Sequence, residues 1–371
     1  MRAYELIAKL SSIVTPKVYA LTSDLIPLMP ISTLLPAEAG EGILVGYDEL
    51  GRPIYLDFEK LPNAHGVITG TTGSGKSTLA RSLALSVYEE GVRVLFVDPH
   101  GEHCQFVEKF GGISLDLRAR VLDITQPPGI SPSQWSLELS KAAKHVLSLT
   151  ESQRAILQDA LLEAIEQGTL ERALRYLEAR RHDPLLEELY VKVRTLLKPF
   201  MRPCLNLEEL LNNELVSLVL GGGALGLTYE HSVFLTWTVL AQLEYFMRSR
   251  GVRSGLELVV VIDEAHRLFV LGPENVLVRA FQETRKFGYG FWALNQLPSQ
   301  IPLEVYQLVG FLIFLPGPKE YVDELASLAL LSEDDRDFLL FGIRGTGIVV
   351  RQGDPRPRRL RLAIREEAII R

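Results

Sequence analysis

The sequence predicts an α/β fold built on a mostly parallel sheet, and three observations carry that prediction. From residue 65 onward, short β-branched runs alternate with longer amphipathic ones, which is the rhythm of strands joined by crossover helices. Between 131 and 202 the strands vanish and only helical periodicity remains, marking a helical insertion. A glycine-rich loop at 70–77 stands directly between a predicted strand and a predicted helix.

Taken in chain order, residues 1–60 read as an arm or small β-element. Breakers are frequent there (Pro16, Pro27, Pro30, Pro36, Gly40, Gly42, Gly46), and strand-like pieces at 43–47 and 53–56 flank a turn at 49–51. Next come a strand at 66–69, a helix from 76 to about 90 and a strand at 92–97. Within the insertion, Thr150 and Gln153 form a capping box ahead of Ile156, Leu157, Ala160, Leu161, Ala164 and Ile165 at helical spacing. Strands resume at 215–220, 258–262, 291–294, 311–315 and 347–350, with a long helix around 230–250. The α/β core is therefore expected at 61–130 and 203–352, the helical insertion at 131–202, and a basic C-terminal tail at 353–371.

The 371 residues exceed the ~250–300 at which a single core stops growing, so a large domain with an insertion is the natural reading. Against 39 Lys and Arg stand 46 Asp and Glu, a net charge of −7 that excludes broad adhesion to nucleic acid or anionic membrane. Cys104 and Cys204 form no CxxC pattern, which suggests neither a disulfide framework nor a zinc module. No apolar run reaches the ~18 residues of a membrane helix, and the chain starts without a signal-peptide pattern. A cytoplasmic protein is expected, with any recruitment to a membrane left to a partner.

Gly70-Thr71-Thr72-Gly73-Ser74-Gly75-Lys76-Ser77 matches the phosphate-loop pattern in full, and Thr78 continues the run into the helix. Glycines are needed because the loop turns its N–H groups inward around phosphates, where a Cβ would obstruct, while the helix N-terminus adds partial positive charge. Lys76 is expected on the β and γ phosphates of ATP, and Ser77 on Mg²⁺. The apolar run 258–262 ends in Asp263-Glu264, a Walker B signature in which Asp263 holds the metal shell and Glu264 activates water. A third strand tip, Asp98-Pro99-His100-Gly101-Glu102-His103, offers Asp98 and Glu102 as polarising or metal-shell groups; a capped turn is the competing reading. His100, His103 and Cys104 lack a clear fourth ligand, so no zinc is assigned there. Asn295-Gln296 ends another strand, where Gln296 could sense the γ-phosphate.

These four motifs, in their order along the chain, resemble the HerA–FtsK superfamily, and most nearly its HerA-like branch. The similarity also takes in Ala265-His266-Arg267 after the Walker B pair and Arg285-Lys286-Phe287-Gly288 ahead of Gln296. It implies a RecA-like P-loop NTPase fold, ATP hydrolysis with Mg²⁺, and a homohexamer with ATP sites at subunit boundaries and duplex DNA in the channel. It further implies roles for Lys76, Ser77, Asp263, Glu264, the sensor Gln296 and, as an arginine finger, Arg285. A nuclease or a membrane channel is the implied partner. Two departures stand out. The roughly 60 residues before the core are few for the family's N-terminal β-barrel, and Asn63-Ala64-His65 stands where many relatives carry an arginine.

A motor of the same superfamily acting on protein is the alternative to a DNA translocase, and only local charge bears on the choice. Residues 171–202 hold eight Lys and Arg against five acids, and 351–371 hold seven Arg against three acids. A solvated face or tail is the favoured reading of each. The first stretch holds only Tyr176, Tyr190 and Phe200 and the second no aromatic, which does not suggest a base-stacking track, so phosphate contact without base readout is what this distribution permits.

Overall fold

The computed structural model describes residues 41–116, 121–201, 204–220, 228–253, 255–269, 276–283 and 285–370. Most of the N-terminal arm expected at 1–60 lies outside the described residues. The strands are β1 (Ile43–Tyr47), β2 (Pro53–Leu56), β3 (Gly66–Thr69), β4 (Arg93–Asp98), β5 (Ile113–Asp116), β6 (Val121–Leu122), β7 (Cys204–Leu205), β8 (Leu215–Val219), β9 (Leu258–Ile262), β10 (Tyr289–Asn295), β11 (Phe311–Phe314), β12 (Thr346–Arg351) and β13 (Arg358–Leu362). The helices are α1 (Lys76–Glu89), α2 (Cys104–Lys109), α3 (Pro132–Leu147), α4 (Glu151–Gln167), α5 (Glu171–Glu178), α6 (Pro184–Leu197), α7 (Leu207–Leu211), α8 (Tyr229–Arg250), α9 (His266–Phe269), α10 (Val276–Glu283), α11 (Leu303–Leu308), α12 (Lys319–Ala329) and α13 (Glu333–Leu340).

All but β6 and β7 join one eleven-stranded sheet in the order β2-β1-β13-β12-β11-β3-β10-β9-β4-β8-β5. From β11 to β5 every neighbouring pair is parallel, whereas β12, β13, β1 and β2 continue antiparallel. The central strands β3, β9 and β10 are buried throughout, as a parallel sheet covered on both faces requires. Period-two alternation divides their side chains between two cores. Val94 and Phe96 of β4 face the side of α1, with Leu79 and Leu83, while Leu95 and Val97 face the side of α8 and the insertion.

The insertion forms as its periodicity predicts. Ser131 with Gln134 and Thr150 with Gln153 make reciprocal capping boxes, and left-handed residues Ser148 and Gly168 end the same two helices. Trp135, fully buried, donates its indole N–H to the Ile124 carbonyl at 2.8 Å. Arg279 of α10 bridges Glu138 of α3 at 3.0 Å and Glu244 of α8 at 3.2 Å, so the insertion is tied to the core by charge as well as by apolar packing.

The C-terminal residues depart from the expected tail. Arg358–Leu362 forms β13, pairing with β12 on one side and β1 on the other. Counting the arginines as a run hides the alternation that buries Leu360. Those arginines pair with acids distant in sequence: Arg359 with Asp335 at 2.7 Å and Glu49 at 3.2 Å, and Arg365 with Glu89. The hairpin β1–β2 joins the same sheet through β13 rather than standing apart. Among the described residues no helix is long and apolar enough to cross a membrane.

Candidate nucleotide site

Because β3, β9 and β10 are parallel and adjacent, the segments that follow them emerge along one carboxyl edge of the sheet. The loop after β3 turns through Gly73 (φ 80°) and Gly75 (φ 103°), left-handed conformations that favour glycine, and Gly75 caps α1. At Gly70 a Cβ would lie 2.5 Å from Ser74 Oγ and 2.8 Å from Leu315 Cβ, so glycine is required there by contact. Ser74 Oγ is buried without a hydrogen-bond partner among the described residues. Lys76 Nζ folds back over the loop, donating to the Gly70 and Thr71 carbonyls at 2.5 and 3.1 Å. Burial holds this ammonium below the usual lysine value, against the charges of Asp263, Glu102 and Glu264.

Ser77 Oγ donates to Glu102 Oε2 at 3.2 Å, and Thr78 Oγ1 accepts from Arg81 at 3.4 Å. Gln296, just past β10, accepts from Thr72 Oγ1 at 3.4 Å. The structure thus brings Glu102 and Gln296 to the loop from two different strands. Asp98 is used otherwise. Its two oxygens accept the N–H groups of His100, Gly101, Glu102 and His103 at 2.7–3.3 Å, and the Ser217 hydroxyl at 3.2 Å. A buried carboxylate so filled caps its turn; only Glu102 of the expected pair reaches the site.

Each Walker B carboxylate is held by a histidine of that capped turn. His103 Nε2 lies 3.4 Å from Asp263 Oδ2, its ring stacked on Phe96 at 4.5 Å. Burial pushes the Asp263 carboxyl up, but His103, the Glu264 N–H and Lys76 together hold it below the ordinary carboxylate value. Glu264 has a φ of 50°, uncommon for a residue with a side chain. Its Oε2 meets His100 Nε2 at 3.0 Å and forms an ion pair with Arg267.

Arg285 is not brought to this loop. It lies in a 3₁₀ turn, Arg285–Phe287, just before β10 and so at the amino edge of the sheet, the length of a strand of about 20 Å from the carboxyl edge. Asn63 is at that amino edge too, its Oδ1 accepting from the N–H groups of His65 and Gly310. Sequence reasoning missed the holding roles of His100, His103 and Arg267, and also Arg81, which is buried and bonds the carbonyls of Glu102 and Ala368. A charged residue amid Leu79-Ala80 and Ser82-Leu83-Ala84-Leu85 was the available signal for Arg81.

The family model described as helicase HerA, central domain, matches residues 42–257, more than half of the chain. The chain belongs to this family. Among proteins similar to this HerA-family chain, the DNA translocase SftA of Bacillus subtilis is 39% identical over 59 residues, 15% of this chain and 6% of that protein. A protein of Methanocaldococcus jannaschii, named probable DNA double-strand break repair helicase HerA, is 30% identical over 84 residues, 22% of this chain and 16% of that one. The matched stretches therefore span only a small part of these relatives. Solved structures extend the similarity in fold. VirB4 of Thermoanaerobacter pseudethanolicus gives a TM-score of 0.73 at 18% identity, covering 90% of this chain and 100% of that one. The conjugative coupling protein TrwB gives 0.65 at 16% identity, covering 94% and 92%. The HerA-family chain thus shares the RecA-like α/β fold of these structures. The matched range stops one residue short of β9, so the association of Asp263, Glu264 and Gln296 with the loop rests on the sheet.

Proposed function

We propose that this HerA-family chain works as a homohexamer that hydrolyses ATP with Mg²⁺ and uses the energy to translocate duplex DNA. The observation that carries the reading is the convergence of Lys76, Ser77, Glu102, Asp263, Glu264 and Gln296 on one sheet edge. Two relatives named for DNA translocation and DNA repair support the choice of cargo.

The chain's own groups divide the work. Lys76 exchanges two backbone carbonyls for phosphate oxygens, and the unpartnered Ser74 hydroxyl and loop N–H groups complete an anion cradle. Ser77 and Asp263 are the residues that would hold Mg²⁺, which neutralises phosphate charge; Glu102 accepts the Ser77 proton and so leaves that oxygen's lone pairs for the metal. Glu264 takes a proton from water only after leaving Arg267 and His100, because a paired carboxylate is a poor base. Gln296 reads the terminal phosphate and is linked to the loop through Thr72. Arg285, at the opposite edge, serves a neighbouring subunit's site. The reading places the ring in the cytoplasm, with a nuclease or membrane channel as partner.

The test is the ATPase rate with and without linear duplex DNA over a salt series. Stimulation that declines as salt rises is expected, because phosphate contacts release counterions. A chain that hydrolyses ATP but ignores DNA at low salt would be a motor acting on protein.

A further inference from the structure

Arg344 belongs to none of the nucleotide motifs, yet its guanidinium lies beside the phosphate loop. Its Nε is 3.7 Å from the point a Cβ on Gly75 would occupy. The connection between α13 and β12 carries it there, since β12 runs antiparallel to β11 and β11 pairs directly with β3. The residue is exposed and makes no hydrogen bond or ion pair among the described residues.

The segment around Arg344 is fixed rather than loose. Ile343 O accepts from Thr346 N at 3.1 Å and from Thr346 Oγ1 at 2.7 Å, closing a tight turn with Arg344 and Gly345 at its centre. Gly345 has φ 91°, the left-handed conformation that a type II turn demands at its third position. Its carbonyl accepts from Leu362 N at 2.8 Å, which anchors the turn to β13. At Gly342 a Cβ would lie 2.5 Å from Phe338 O and 2.8 Å from Pro316 Cγ, so that backbone is wedged in place.

A guanidinium matches phosphate oxygens with paired donors, and one held on a rigid turn loses little freedom on binding. The sheet says which phosphates it would meet. Glu264 and Gln296 follow β9 and β10 on one flank of β3, whereas Arg344 precedes β12 on the other. With the terminal phosphate handled on the first flank, the rest of the nucleotide extends toward the second. We propose that Arg344 binds the nucleotide in cis, on the α and β phosphates that ATP and ADP share. This inference rests on the reading of the loop as an ATP site.

The experiment compares the unmodified chain with Arg344→Ala, Arg344→Lys and Lys76→Ala. Fluorescent ADP and a fluorescent non-hydrolysable ATP analogue are titrated with Mg²⁺ present, alongside steady-state ATP hydrolysis. Arg344→Ala should weaken both nucleotides by about tenfold or more, the scale of a charge-assisted hydrogen bond, with the kinetic change chiefly in KM and partial rescue by lysine. Thermal midpoints without nucleotide should not move. Should the alanine variant lose its fold, Arg344→Gln must show the same loss of affinity. Unchanged affinity, weakening of the ATP analogue alone, or loss of kcat at constant KM would each overturn the proposal. Failure of the unmodified chain to bind either nucleotide would overturn the functional reading as well. Weakening in Lys76→Ala without weakening in Arg344→Ala would overturn only the role of Arg344.

Discussion

The two flanks of the phosphate loop follow opposite electrostatic plans. Toward β9 and β4, the carboxylates are engaged: Asp263 with His103, Glu264 with His100 and Arg267, Glu102 with Ser77. Toward β11 and β12, Arg344 projects from a hydrogen-bonded turn with no partner among the described residues. Under the proposed function, the first flank would exchange partners before chemistry, whereas the second would receive an anion directly.

The largest effect that would sharpen this contrast belongs to neither flank. Arg285→Ala should lower hydrolysis by roughly 10³ to 10⁵, the scale of a trans finger. Mixing it with Lys76→Ala subunits should restore part of the rate, since one boundary can then pair an intact loop with an intact arginine. Normal hydrolysis by Arg285→Ala alone, or no recovery in demonstrably mixed rings, would place the finger elsewhere.

On the chemical flank, Glu264→Gln should cut turnover by about 10² to 10⁴ while retaining nucleotide binding, as loss of a general base predicts. Unmodified turnover in a rapid-quench assay would remove Glu264 from that role. The anchoring of the opposite flank can be probed through stability. Leu360→Ala in β13 should cost about 2–5 kcal/mol in a denaturant titration, whereas Arg361→Ala, exposed on the same strand, should stay within about 0.5 kcal/mol. Equal small effects would return this segment to a solvated tail. The smallest functional change is expected at Glu102. Glu102→Gln keeps an acceptor oxygen but removes the charge, and the Mg²⁺ concentration for half-maximal hydrolysis should rise roughly 10- to 100-fold, as for other groups that orient a metal ligand. An unshifted Mg²⁺ dependence would leave Glu102 as a partner of Ser77 only.

The features legible from residue order alone are local ones. Short β-branched apolar runs specified the central strands, with 66–69 and 258–262 placed to the residue, because such a run and its flanking breakers lie within one short window. The phosphate loop was legible for the same reason: its glycines, Lys76 and Ser77 act through conformations and spacings set by neighbouring residues. The rest depended on strand order. Asp98 and Glu102 look interchangeable in sequence, and only folding shows Asp98 filled by four N–H groups while Glu102, following β4, meets Ser77 at the start of α1. The run of arginines after 351 conceals β13 because the acids that pair with it are Asp335, Glu49 and Glu89. Arg344 stands 269 positions from Gly75, and no spacing rule connects them. Tertiary structure decided these matters because charge and hydrogen bonding act over a few ångströms of space, and the order in which strands lie side by side determines which distant residues share them.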